Sequence, residues 1–210
     1  MRFKLPPVYP ITDKRLARRS SHLEIIKELV RGGARLVQVR DKETSQRELL
    51  LDLQRCVEFA EKRGVLIVVN DRCDLVLSSG AGGVHLGQED LPPFAARSIL
   101  GAKAVIGFST HNLAQVKKSR GIPISYIGFG PIFGTSTKLS VNPTLGVSEL
   151  RRACHFSSKP IVAIGGIHLR HIPDVLAAGA ASAAVISDLM TAQSLARRME
   201  QFLAKAMEIE

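Results

Sequence analysis

An α/β chain folded as a single domain, a (β/α)8 TIM barrel over residues 1–210, is predicted by three features of this sequence. Short β-branched runs alternate with segments of helical period from end to end, which implies parallel strands joined by right-handed crossovers. Eight such units share 210 residues, which suits a compact closed barrel. No linker or low-complexity stretch divides the chain. A doubly wound open sheet is the alternative, but no Gly-x-Gly-x-x-Gly turn follows the first strand, and the cluster of Gly80, Gly82 and Gly83 precedes a strand instead.

The elements follow in order. A first strand at 8–12 leads to a helix carrying Leu23, Ile26, Leu29 and Val30, opened by Ser20 and Ser21 and closed by Gly32 and Gly33. The strand at 36–40 precedes a helix with Leu49, Leu53, Cys56, Val57 and Ala60 on one face, opened by Thr44, Ser45 and Glu48 and ended by Gly64. Strands at 65–69 and 83–86 follow, then a helix starting at Pro92 and Pro93. The strand at 104–108 runs into a helix start at Thr110, His111 and Asn112, which Gly121 ends. Strands at 125–129, 160–164 and 182–186 complete the set, with Gly179 closing the helix before the last.

Composition bounds the function. With 45% apolar and 23% charged residues the chain buries a full core and is not disordered. It has no apolar run of membrane-spanning length and no signal-peptide pattern, so a soluble, cytoplasmic protein with no membrane partner is expected. Cys56, Cys73 and Cys154 are too scattered for a disulfide framework or a zinc cluster and read as packing residues. The net charge of +10 calls for anionic partners, but the basic residues are spread along the chain, with no tryptophan, two tyrosines and no recognition motif. That pattern argues against nucleic acid and for a small phosphorylated ligand. The sequence leaves a homo-oligomer open.

Barrel chemistry gathers at the C-terminal strand ends. A period of two points Gln38, Arg40 and Lys42 to one side of the second strand. Asn70 and Asp71 end the third, Gly87 to Asp90 follow the fourth, and Ser109, Thr110 and His111 follow the fifth. Two carboxylates at neighbouring strand ends, Asp71 and Asp90, repel unless a cation offsets them, and an oxygen-only pair suits Mg²⁺. Helix N-caps are the competing reading, and spacing leaves both open. Gly165 and Gly166, with Ile186 and Ser187, occupy the loops where barrels bind phosphate through backbone N–H groups; a plain tight turn is the alternative for the glycine pair. Arg40, Lys42 and Lys138, with Mg²⁺, suit a pyrophosphate. The Gly-, Thr- and Ser-rich stretch at 130–146 reads as a lid or as an ordinary surface loop. His85 reads as a satisfied interior residue, His111 as the start of a helix, and His22, His155, His168 and His171 as helix or surface positions. No Ser-His-Asp or Cys-His nucleophile is visible.

At these residues the sequence resembles thiamine-phosphate synthases. The matching stretches lie at 9–13, 38–42, 70–72, 83–90, 107–111, 128–133, 135–138 and 163–167. The resemblance implies an enzyme, a transferase of the same barrel fold. It would join hydroxymethylpyrimidine pyrophosphate to hydroxyethylthiazole phosphate and release pyrophosphate with Mg²⁺, by a dissociative route through a pyrimidine-methyl cation. It assigns Asp71 and Asp90 to Mg²⁺, and Gln38, Val39, Arg40, Asp41, Lys42, Asn70, Ser109 and Lys138 to the pyrimidine pyrophosphate. Thr135, Ser136, Thr137, Gly166, Ile186 and Ser187 would hold the thiazole phosphate. Arg40, Lys42, Ser109 and Lys138 would be the catalytic contacts. Two departures stand out: Phe108 replaces a smaller aliphatic residue, and Asp188, Leu189 and Met190 replace a stretch of small residues. The related thiazole tautomerases are the nearest rival, but their catalytic histidine falls where this chain has Pro131. A non-catalytic phosphate-binding barrel is the rival of another class.

Overall fold

The computed structural model describes residues 4–134 and 143–208. Thr135, Ser136, Thr137 and Lys138, expected at the substrate site, and the middle of the 130–146 stretch lie outside the described residues. The eight strands are β1 (Val8–Pro10), β2 (Leu36–Val39), β3 (Leu66–Asn70), β4 (Gly83–Leu86), β5 (Val105–Thr110), β6 (Tyr126–Phe129), β7 (Ile161–Ala163) and β8 (Ser182–Val185). The helices are α1 (Lys14–Ala17), α2 (His22–Arg31), α3 (Gln46–Glu61), α4 (Cys73–Ser79), α5 (Pro93–Leu100), α6 (Leu113–Lys118), α7 (Gly146–Phe156), α8 (Ile172–Ala177), α9 (Ser187–Met190) and α10 (Leu195–Met207). A 3-10 turn, Leu169–His171, precedes α8.

All strand pairs are parallel, in the order β1-β8-β7-β6-β5-β4-β3-β2. A bridge between Ile11 and Gln38, with Thr12 N donating to Gln38 O at 2.8 Å, joins the two ends into a barrel. The predicted (β/α)8 barrel is the observed fold.

Every strand is buried on both faces, which is why each reads as a short apolar run rather than a clean alternation. One set of side chains, including Tyr9, Ile11, Leu36, Val68, Val105, Tyr126, Val162 and Ala184, fills the barrel. The other set, with Val37, Val39, Val69, Val84, Ile106 and Ile127, packs outward with the helices. Helix starts follow the expected capping chemistry. Ser45 Oγ accepts from Glu48 N at 3.4 Å and donates to Glu48 Oε2 at 2.9 Å, capping the start of α3. Ser21 and Asn112 cap α2 and α6 by accepting from the backbone N–H of Glu24 and Gln115. The short helices α1 and α9 carry too few residues for a readable period. Asp13 starts α1 by accepting from Leu16 N at 2.9 Å.

Candidate functional site

The loops at the C-terminal ends of β2 to β5 bring Gln38, Arg40, Lys42, Asn70, Asp71, Asp90 and Ser109 to one end of the barrel. β2 splits its residues as its period requires. Gln38 faces inward and is buried, its Nε2 donating to Tyr9 Oη at 3.1 Å. Val39 is buried in the outer core, so its side chain packs against helices and only its backbone borders the mouth. Arg40 is half-buried, its N–H donating to Thr12 Oγ1 at 3.3 Å, and Lys42 is exposed.

Asp41 is committed to the scaffold. Its carboxylate accepts from Glu43 N and Thr44 N, each at 2.9 Å, and from Thr44 Oγ1 at 2.6 Å. Lys14 Nζ and His22 Nε2 both stand 3.0 Å from it, and its side chain is 5% exposed. Burial pushes the carboxyl up, but the Thr44 hydroxyl, the Thr44 and Glu43 amides and Lys14 outweigh it and hold it well below the usual carboxylate range. His22 is the first residue of α2 and a buried member of this cluster, so of the expected helix or surface positions it takes the helix one. Burial pushes its imidazole below the ordinary value against the pull of Asp41. A neutral ring with its proton on Nε2 satisfies both contacts, donating to Asp41 and accepting from Thr12 Oγ1 at 2.8 Å. The side chains around Asp41 thus anchor the β2 loop to α1 and α2.

Asp71 follows β3 with φ +63°, a left-handed conformation that costs an ordinary residue about 1–2 kcal/mol. Its N–H donates to His85 O at 2.8 Å, and Lys42 Nζ lies 3.7 Å from its Oδ2. Asp71 is not a helix N-cap, because that position at α4 belongs to Arg72. Nor is Asp90, since α5 starts from Pro92; Asp90 Oδ2 instead accepts from Gly87 N at 2.6 Å and tightens the β4 loop. Among the described residues no third His, Cys, Asp or Glu joins these carboxylates in a metal-binding group. Two carboxylates alone fit Mg²⁺, which keeps several waters and shares its coordination with substrate phosphates. They do not fit zinc, whose sites take more protein ligands.

Ser109 ends the inward row of β5, and its Oγ lies 2.8 Å from His85 Nε2. His85 is buried inside the barrel and hydrogen-bonded, as expected of an interior histidine. His111 lies just before the α6 cap, its Nδ1 at 2.8 Å from Gly130 O, which makes it a tie to the β6 loop.

The loops after β7 and β8 form a second region. Gly165 and Gly166 have φ +97° and +61°, and a Cβ on Gly166 would stand 2.3 Å from Gly134 O. The pair therefore serves a tight turn against the β6 loop, whose Phe133 ring stacks on His171 with centroids 3.9 Å apart. Ser187 begins α9, directly after Ile186. Asp188, which stands out in the sequence only as a departure from the family pattern, has a role here that the sequence did not show. Its carboxylate, 6% exposed, accepts from His168 Nδ1 at 3.0 Å, Leu169 N at 3.1 Å and Arg198 Nε at 2.6 Å. It holds the β7 loop, α9 and α10 in one arrangement, so this departure from the family pattern is a structural brace beside the expected phosphate loops.

The family model described as thiamine monophosphate synthase matches residues 8–189, most of the barrel. The chain belongs to this family. A thiamine-phosphate synthase from Koribacter versatilis is 40% identical over 191 residues, covering 89% of this chain and 90% of that protein. One from Albidiferax ferrireducens is 38% identical over 186 residues, covering 89% and 85%. Among solved structures, the thiamine phosphate pyrophosphorylase from Pyrococcus furiosus superposes with a TM-score of 0.87 at 30% identity, covering 96% of both chains. As a thiamine monophosphate synthase family member the chain is an enzyme of the transferase type. Among its described residues no helix is long and apolar enough to cross a membrane.

Proposed function

We propose that the chain joins hydroxymethylpyrimidine pyrophosphate to hydroxyethylthiazole phosphate at the C-terminal mouth of the barrel, releasing pyrophosphate. The observation that carries this reading is the approach of Lys42 to Asp71, at 3.7 Å, across the β2 and β3 loop ends. It sets a cation for a leaving pyrophosphate beside a carboxylate suited to Mg²⁺. The C–O bond between the pyrimidine methylene and the pyrophosphate breaks, and the thiazole nitrogen forms the new C–N bond. Arg40, Lys42, Ser109 and Lys138 hold the leaving group and take up its developing charge, and Gln38 and Asn70 orient the pyrimidine. Thr135, Ser136, Thr137, Gly166, Ile186 and Ser187 hold the thiazole phosphate. Mg²⁺, held by Asp71 and Asp90, would neutralise part of the pyrophosphate charge. A poised general base is not required, in keeping with the commitment of His22, His85 and His111 to internal hydrogen bonds. The unpaired thiols Cys56, Cys73 and Cys154 support a reducing, cytoplasmic setting.

The test is coupled pyrophosphate release by the purified protein, with each substrate omitted in turn and with Mg²⁺ present or removed by chelation. Release that needs both substrates and the metal, with thiamine phosphate formed, is the expected result. Silence with both substrates and Mg²⁺ overturns the proposal and directs attention to thiazole isomerisation.

A further inference from the structure

Beneath the mouth, the apolar barrel interior contains a continuous polar chain. Gln38 Nε2 donates to Tyr9 Oη at 3.1 Å, Tyr9 Oη lies 2.9 Å from Tyr126 Oη, and Tyr126 Oη lies 3.0 Å from His85 Nδ1. His85 Nε2 then reaches Ser109 Oγ at 2.8 Å. The chain crosses the barrel through β2, β1, β6, β4 and β5, and its two ends are residues placed above on the pyrimidine and the pyrophosphate. The glycines inside the strands make its room. A Cβ on Gly107 would meet Tyr126 Oη and His85 Nδ1 at 2.4 Å, and one on Gly128 would meet His85 Cε1 at 3.0 Å. The His85 and Tyr126 rings stack with centroids 5.5 Å apart.

The hydrogens of this chain follow from burial. Burial pushes the Tyr9 phenol up to about 12 and Tyr126 well above its ordinary value, so both phenols keep their protons. Tyr9 is 1% exposed and its side-chain hydrogen bonds are to Gln38 and Tyr126. Since Gln38 donates to Tyr9, the Tyr9 proton is satisfied by pointing to Tyr126; otherwise it lacks an acceptor in the barrel wall. Tyr126 then donates to His85 Nδ1, and His85 carries its proton on Nε2 and donates to Ser109 Oγ. The Ser109 hydroxyl, having accepted from below, turns its own hydrogen upward.

We infer that Tyr9, Tyr126 and His85 are positioning residues: a one-way hydrogen-bond relay that starts at Gln38 and presents the Ser109 hydroxyl hydrogen to the leaving pyrophosphate. Such a prearranged donor needs no reorganisation as charge develops on the leaving group. The inference rests on the proposed role of Ser109, and its two readouts separate the relay from that role.

The first readout is the tautomer of His85 by ¹⁵N NMR of histidine-labelled protein, which needs no turnover. The Nε2–H form is expected in the wild type, with Tyr126→Phe weakening that preference; a dominant Nδ1–H form overturns the relay. The second is steady-state kinetics of Tyr126→Phe, Ser109→Ala and the double variant, with Tyr9→Phe as the alternative should Tyr126→Phe not fold. Tyr126→Phe is expected to lower kcat about tenfold with little change in KM for the pyrimidine pyrophosphate. On the Ser109→Ala background the same change should cost less than about twofold, because the relay acts through that hydroxyl. An unchanged kcat, or penalties that multiply, overturns the inference. If the wild type forms no product, the substrate proposal fails while the tautomer still decides the relay.

Discussion

Replacing Asp41 should damage the fold before it damages catalysis. The family pattern places this residue with the substrate contacts, yet its carboxylate is engaged by Glu43 N, Thr44 N, Thr44 Oγ1, Lys14 and His22 at 2.6–3.0 Å. In Asp41→Ala the His22 ring, 1% exposed, loses its acceptor, and Lys14, 24% exposed, loses its counter-charge. Breaking a buried pair by removing one partner costs about 3–5 kcal/mol. For a chain of this size each kcal/mol lowers Tm by roughly 2–4 °C, so the expected fall is roughly 6–20 °C. Asp41→Asn keeps one acceptor oxygen for the two amides and should lose about half as much. The assay is urea unfolding followed by circular dichroism, with unchanged m-values taken to mean unchanged surface exposure. The pH dependence has a definite sign. Because the folded carboxyl lies below its ordinary value of 3.8, its stabilisation is present above that value and lost as pH falls below it. Asp41→Ala should therefore flatten the acid limb of the wild-type stability profile. A loss of under about 1 kcal/mol, with a raised KM for the pyrimidine substrate as the main defect, refutes the reasoning.

Asp71→Asn retains a residue tolerant of the left-handed conformation, so stability should stay within about 0.5 kcal/mol by thermal melting. Turnover should fall about 100-fold or more and Mg²⁺ stimulation should vanish, both read by pyrophosphate release. Asp188→Ala strips acceptors from Leu169 N, His168 and Arg198 and should cost about 1–3 kcal/mol in urea unfolding. By releasing the loops after β7 and β8 it should also raise KM for the thiazole phosphate more than KM for the pyrimidine. Gly107→Ala drives a methyl to within 2.2 Å of the Tyr126 ring and should cost about 1–3 kcal/mol by overpacking, with loss of activity.

The strands and the principal helices were legible because hydrophobic period and helix caps are local. The run at 65–69 became Leu66–Asn70 and the run at 104–108 became Val105–Thr110, small shifts at ends where hydrogen-bond register rather than composition decides. The mouth was legible as well, since polar residues follow each apolar run and strands in a parallel barrel all point the same way. Within it, strand period already separated Asp41 from Gln38, Arg40 and Lys42, whereas the resemblance assigned the whole run to substrate. Asn70, Asp71, Asp90 and Ser109 stand at the expected strand ends, while Lys138 and its neighbours fall outside the described residues.

By itself the sequence determined the order of elements, the closed parallel sheet, the end of the barrel that carries polar groups and the family. Tertiary structure alone decided that His22 is buried against Asp41, that Asp188 braces two loops, and that Tyr9 meets Tyr126 across 117 positions of chain. The reason is distance along the sequence. Periodicity and capping are set by neighbours a few residues apart, whereas an interior hydrogen bond joins strands whose register is known only once the barrel has closed. The one local trace of the interior network was the pair of glycines, Gly107 and Gly128, inside apolar strand runs. A missing Cβ there marks a close approach but does not say which side chain arrives.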